Sequence, residues 1–123
     1  MNAKLGSILL LIASFVSAPI ALADANAIKE MAQIVKTLDH QPTASDQDAL
    51  RKIVASDAST PGERAIAGAL LQMKHQISAA DREKLQKVKD DTAATSAEHE
   101  LADIVMSINH HASPQDKERL DQL

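Results

Sequence analysis

The chain has 123 residues, a net charge of −4 and no cysteine, and its single aromatic residue, Phe15, lies near the N-terminus. Without cysteine it has no disulfides, no thiolate metal ligands and no thiol nucleophile. An acidic chain with almost no aromatic rings repels phosphate backbones and cannot stack on bases, so we expect no nucleic-acid partner.

The first 23 residues have the pattern of a secretory signal peptide. Lys4 supplies the positive charge, residues 5–16 form an apolar run, and Ala21 and Ala23 provide small residues before a cleavage site. The run is shorter than the roughly 20 apolar residues of a spanning helix, and no later stretch is apolar enough to span. We predict a mature chain of residues 24–123 that is periplasmic or secreted, without a membrane span. Loss of Lys4 takes its net charge from −4 to −5.

Residues 24–123 predict a single all-α domain. Apolar residues recur at helical spacing, and the β-branched residues never alternate with polar ones over a strand length. Pro42, Pro61 and Pro114 fall at segment edges, where proline is tolerated. The predicted helices span approximately residues 26–39, 44–56, 61–75, 79–90, 96–109 and 114–123.

An internal repeat of 35 residues organises this domain into three units, at approximately residues 25–59, 60–94 and 95–123. Each unit is predicted to contain a long helix, a tight turn and a shorter capped helix. Such a period is typical of stacked helical hairpins, arranged as an open solenoid or as a compact bundle. Four positions of the repeat are identical in all three units: Ala32, Ala67 and Ala102; His40, His75 and His110; Asp46, Asp81 and Asp116; Leu50, Leu85 and Leu120.

The core of each first helix carries an apolar residue, an alanine and a second apolar residue, as in Met31, Ala32 and Val35. This pattern resembles the first helix of a tetratricopeptide repeat, whose period is one residue shorter. The resemblance implies close stacking of hairpins. It ends in the second helix, where Ala44 and Asp48 occupy that family's small and aromatic positions.

The segment between the two helices of each unit is predicted to be a structural joint, made three times. The histidine ends the first helix, a hydroxyl residue and an aspartate begin the second, and a leucine packs the second helix onto the first. These residues are His40, Thr43, Asp46 and Leu50; His75, Ser78, Asp81 and Leu85; His110, Ser113, Asp116 and Leu120.

Metal binding and proton sensing are alternative interpretations of the histidines. His110, His111 and Asp116, with His40 and His75 in equivalent places, have the nitrogen and oxygen donors that zinc or copper binds. In a stack of hairpins, however, equivalent residues are separated by about 10 Å per helix, too far to share one ion. We therefore favour capping and predict no cofactor.

The sequence does not predict an enzyme. Acidic pairs such as Asp81 and Glu83 lie in the first turns of capped helices, where they complement the helix dipole. The chain has no Gly-x-Ser-x-Gly elbow and no glycine-rich phosphate loop.

Together, these features predict an exported helical repeat protein that serves as a protein interaction or adaptor module, with a protein partner or self-association. Stacked hairpins expose an extended face, and the last helix is short. Leu120 and Leu123 are its candidate docking residues. The alternative function is a histidine-dependent protein of the envelope stress response, or one that binds metal in response to its supply.

Overall fold

The computed structural model describes the backbone of residues 22–123 and the side-chain surroundings from residue 26 onward. Over this range there is no strand, and the all-α prediction is confirmed. Most of the predicted signal peptide, residues 1–21, lies outside the described residues. The helices are α1 (Leu22–Thr37), α2 (Ala44–Ala55), α3 (Pro61–Gln72), α4 (Ala79–Asp90), α5 (Ser96–Ser107) and α6 (Pro114–Leu120).

Helices α2 to α6 begin with a hydroxyl residue that accepts a hydrogen bond from the backbone N–H three residues later. In α2, α3 and α5 the acidic side chain at that third position also accepts from the cap residue's own N–H. Two backbone donors that have no partner inside the helix are satisfied in this way. The cap residues are Thr43, Thr60, Ser78, Thr95 and Ser113.

The first helix of each unit ends two or three residues earlier than its apolar pattern predicts. Beyond α3, Met73 has extended backbone angles (φ −65°, ψ 135°), and beyond α5, Ile108 does the same. Both side chains are nevertheless buried, as is the equivalent Leu38. These residues thus keep the helical spacing of core residues after the helix has ended, so periodicity alone places the boundary too late.

Helices α1, α3 and α5 contact one another and form the centre of the fold. Each second helix contacts the first helix of the next unit, α2 with α3 and α4 with α5, and α6 contacts α1. Equivalent positions of the repeat therefore pack together. Two positions of the repeat are completely inaccessible to solvent in all three units: Met31, Ile66 and Leu101; Val35, Leu70 and Val105.

The N-terminal ends of α3 and α5 meet through a buried carboxylate. Glu98 is 2% exposed; it accepts from the Thr95 backbone N–H (2.6 Å) and from the Thr60 hydroxyl. Gly62 permits this approach, because a Cβ at that position would lie 2.6 Å from the Glu98 Oε1 atom. The beginnings of these two helices therefore lie side by side. Beyond their other ends, His75 and His110 are joined by a backbone hydrogen bond. The two helices therefore run in the same direction.

Candidate metal-binding site

Each of the repeated histidines lies at the centre of a tight turn, three residues after the end of α1, α3 or α5. His40, His75 and His110 have positive φ angles of 67°, 74° and 69°. Around His75, the Gln76 N–H donates to the Lys74 carbonyl at 2.9 Å, and the turn around His40 has the same bond. Positive φ is uncommon for any residue with a side chain, although histidine is enriched among the exceptions. The same unusual conformation thus recurs in all three units.

The backbones of the three histidines form a closed cycle of hydrogen bonds. His40 N–H donates to the His110 carbonyl (2.8 Å), His75 N–H to the His40 carbonyl (2.8 Å), and His110 N–H to the His75 carbonyl (2.6 Å). Every backbone donor in the cycle is satisfied by a residue from another unit. The cycle therefore fixes the three Cα–Cβ bonds in equivalent positions around one point.

The three imidazole rings lie together. Their centroids are 5.3 Å apart for His40 and His75, 5.2 Å for His40 and His110, and 5.0 Å for His75 and His110. One ring nitrogen of each histidine lies within 4.8 Å of one from each of the others, and all three residues are exposed. The expectation that these histidines are too far apart to share an ion is therefore wrong. It assumed that equivalent residues are spaced along a stack, whereas here they meet.

Two of the three rings are oriented by the residue that precedes them. The His40 Nδ1 atom lies 2.5 Å from Asp39 Oδ1, and the His110 Nδ1 atom lies 2.8 Å from Asn109 Oδ1. When an oxygen acceptor holds Nδ1–H, the lone pair is on Nε2, which is the tautomer that metal-binding histidines with such partners adopt. His75 is preceded instead by Lys74. Asp39 and Asn109 are not among the residues predicted from the sequence, although each directly precedes a repeated histidine.

The backbone charge near the histidines favours a cation. The helices α1, α3 and α5 end at Thr37, Gln72 and Ser107, three residues before the histidines. The C-terminal end of a helix carries about half a negative charge from its unpaired carbonyl groups. Three such ends lie close to the imidazole cluster and complement a positive ion.

The other predicted metal ligands do not join this cluster. Among the side chains that the structure describes, the group suited to a metal contains His40, His75 and His110, without His111 or Asp116. The Asp116 carboxylate accepts from the hydroxyls of Ser113 (2.8 Å) and Ser107 (3.2 Å) and is buried. It therefore stabilises the start of α6.

Asp116 also belongs to an ion-pair network around Arg119. Arg119 donates to Glu100 (2.5 Å), Asp103 (2.9 Å) and Asp116 (3.0 Å), and Lys89 donates to Asp103 (2.6 Å). The hydrogen bonds from Lys89 and then Arg119 hold the pKa of Asp103 below its usual value. Hydrogen bonds to Glu100 and Asp103 raise the pKa of Arg119 above its usual value. The network joins α6 to α5, and α5 to α4.

The remaining joint residues lie at helix starts and in the core. Thr43, Ser78 and Ser113 each accept from the backbone N–H of the aspartate three residues later, namely Asp46, Asp81 and Asp116. The leucines at the end of each joint are buried in the chain's own core: Leu50, Leu85 and Leu120.

The candidate docking residues of the last helix also pack on the chain itself. Leu120 is only 4% exposed, and the partly buried Leu123 packs against the same core. Both side chains therefore contact the chain's own core.

In the described part of the chain, none of the helices combines the length and apolar character that a membrane span requires. The chain matches no protein-family model, no curated protein and no solved structure. The geometry of the three histidines is therefore the guide to function.

Proposed function

We propose that the protein binds one divalent transition-metal ion, such as Zn²⁺, through His40, His75 and His110. The observation that supports this function is that three ring nitrogens, one from each repeat, lie within 4.8 Å of one another. Neutral imidazole nitrogen is a favoured ligand of zinc, copper and nickel. Metal binding by the histidines is one of the alternatives that the sequence offers. We further propose that residues 24–123 are exported to the periplasm or the exterior.

A small movement of the rings completes the site. With zinc–nitrogen bonds of about 2.0–2.1 Å in tetrahedral geometry, the nitrogens are about 3.3 Å apart. Nitrogens separated by at most 4.8 Å need to close by at most about 1.5 Å. Rotation of three exposed side chains provides this movement, and the backbone cycle does not need to change.

We also propose that the three units form a compact bundle around the site. Two observations support this arrangement over an open solenoid. Contacts between helices return from α6 to α1, and the hydrogen-bond cycle of the histidines includes all three units. One bound ion then connects the first, second and third repeats, so that metal binding stabilises their association.

The adaptor function expected from the repeats remains a prediction. Among the residues that the structure describes, Val54 is the only large hydrophobic side chain that is exposed, at 39%. Leu120 is buried. A single exposed valine does not form the apolar patch that a protein interface usually has.

Calorimetric titration with zinc at neutral pH tests the metal site. Asparagine is the suitable replacement for each histidine, because it tolerates positive φ better than alanine does. We expect one zinc per chain. For His75→Asn we expect a loss of affinity greater than the roughly 10–100-fold that accompanies loss of a second-shell partner.

His99→Asn is the matched control. The His99 Nε2 atom lies 2.8 Å from the Asp91 carbonyl, and His99 is not part of the cluster. This variant should bind zinc like the parent chain. Equal zinc affinity of the two variants and the parent chain, with helicity retained by circular dichroism, would show that zinc binds elsewhere.

A further inference from the structure

The imidazole cluster supplies three protein ligands, one from each repeat. Over the described range, no fourth histidine, aspartate or glutamate completes the group. The whole chain has no cysteine, and the residues before 26, whose side chains are not described, contain one aspartate, Asp24, and no histidine or glutamate. Zinc that serves a purely structural role usually has four protein ligands, whereas sites with three keep one position for water or substrate.

Other carboxylate and imidazole donors of the chain are engaged in other contacts. The Asp39 carboxylate is hydrogen-bonded to the Nδ1 atom of His40, and the Asp116 carboxylate accepts from two serine hydroxyls. His99 is bonded to the Asp91 carbonyl. His111 follows the ligand His110 directly, and it is the one additional imidazole that an experiment must exclude.

We infer that the metal ion held by His40, His75 and His110 has a coordination position open to solvent, which binds an exchangeable small anion in place of water. This inference depends on the proposed metal site. All three histidines are exposed, so solvent and small solutes reach the place where the ligand nitrogens converge. Because imidazole ligands are neutral, the ion retains its double positive charge, which favours an anionic fourth ligand over water.

The open position determines the class of ligand that the site binds. A metal with three neutral nitrogen ligands and one exchangeable position binds small monodentate anions, and it also lowers the pKa of a bound water. A site with four protein ligands does neither. The open position therefore distinguishes a metal site that exchanges ligands from a metal site that only links the three repeats.

Cobalt(II) provides the test, because its visible absorption reports the number and type of ligands. The full chain is given one equivalent of Co²⁺ and then titrated with sodium azide at neutral pH. We expect intense bands of a four-coordinate ion when Co²⁺ is added, followed by a saturable shift of these bands with azide. The His110→Asn variant should lose the bands, and His111→Asn should keep both the bands and the azide response.

The possible failures differ from one another. Absence of the cobalt bands in the parent chain would refute the metal site itself. Bands that azide does not change would refute the open position alone. An azide response that appears only in His111→Asn would show that His111 is the fourth ligand. One cobalt per two chains, with a dimer in sedimentation, would show that a second copy fills the position. Either of these last two results would overturn the inference.

Discussion

Replacement of Gly62 by alanine tests the close approach of α3 and α5 at their N-terminal ends, opposite the histidines. Gly62 is buried near the start of α3, and an added Cβ would lie 2.6 Å from Glu98 Oε1 and 3.3 Å from Val88 Cγ1. The first separation is far below van der Waals contact. Because Glu98 is only 2% exposed and its carboxylate accepts hydrogen bonds from Thr60 and Thr95, the carboxylate must give up a hydrogen bond when it moves.

Two effects of opposite sign determine the size of the change. Alanine in place of glycine inside a helix stabilises by roughly 0.5–1 kcal/mol. Loss of one hydrogen bond to the charged Glu98 carboxylate costs about 1.5–3 kcal/mol. The net expectation for Gly62→Ala is a loss of about 1–2 kcal/mol in the free energy of unfolding.

Gly68 provides the matched control, because it lies in the same helix and an added Cβ there meets nothing within 4 Å. Gly68→Ala should therefore raise the free energy of unfolding by about 0.5–1 kcal/mol. Urea titrations followed by far-ultraviolet circular dichroism measure both variants. If Gly62→Ala is as stabilising as Gly68→Ala, the contact between α3 and Glu98 does not exist in solution.

Three further predictions concern the core, the ion-pair network and the orientation of His40. Leu85→Ala should lower the free energy of unfolding by about 2–5 kcal/mol, because Leu85 is fully buried. Val54→Ala, at an exposed position, should have little effect. Equal effects of the two changes in urea titrations would contradict the packing. Asp103→Asn should destabilise the chain at pH 7. Because the folded-state pKa of Asp103 lies below its unfolded value, its contribution is present above the unfolded pKa of about 3.9 and is lost as the pH falls through the folded value, so the difference from the parent chain should disappear in acid titrations. Asp39→Ala should lower zinc affinity about 10–100-fold. Asp39→Asn should preserve most of the affinity, because Asn109 already accepts from the His110 ring in the equivalent place. Calorimetry that finds no loss of affinity in Asp39→Ala would refute the orienting role.

The sequence was sufficient to predict the helical class, because it depends on local signals. Hydroxyl residues followed three positions later by acidic residues indicate helix starts, as at Thr60 and Glu63, and the apolar spacing indicates the helices between them. Apolar spacing alone places the ends of α3 and α5 too late, because Met73 and Ile108 are buried although their backbone is extended.

The meeting of the histidines could not be predicted in the same way. The repeat shows that His40, His75 and His110 are equivalent, but their separation depends on how each unit is rotated against the next. Small rotations that accumulate around a ring bring equivalent residues together, and nearly parallel stacking keeps them apart. One local signal was available. Tight turns usually have glycine or asparagine, and the same histidine at all three predicted turns indicates a use for the imidazole.

The most direct test of the metal site is a nuclear magnetic resonance spectrum that correlates ring protons with ring nitrogens in all five histidines. It is recorded before and after one equivalent of zinc is added to the ¹⁵N-labelled chain. The metal site predicts that the rings of His40, His75 and His110 change together and saturate at one zinc per chain, with Nε2 bound in His40 and His110, while His99 is unaffected. Unchanged signals from the three cluster histidines, or changes confined to His99 and His111, would contradict it.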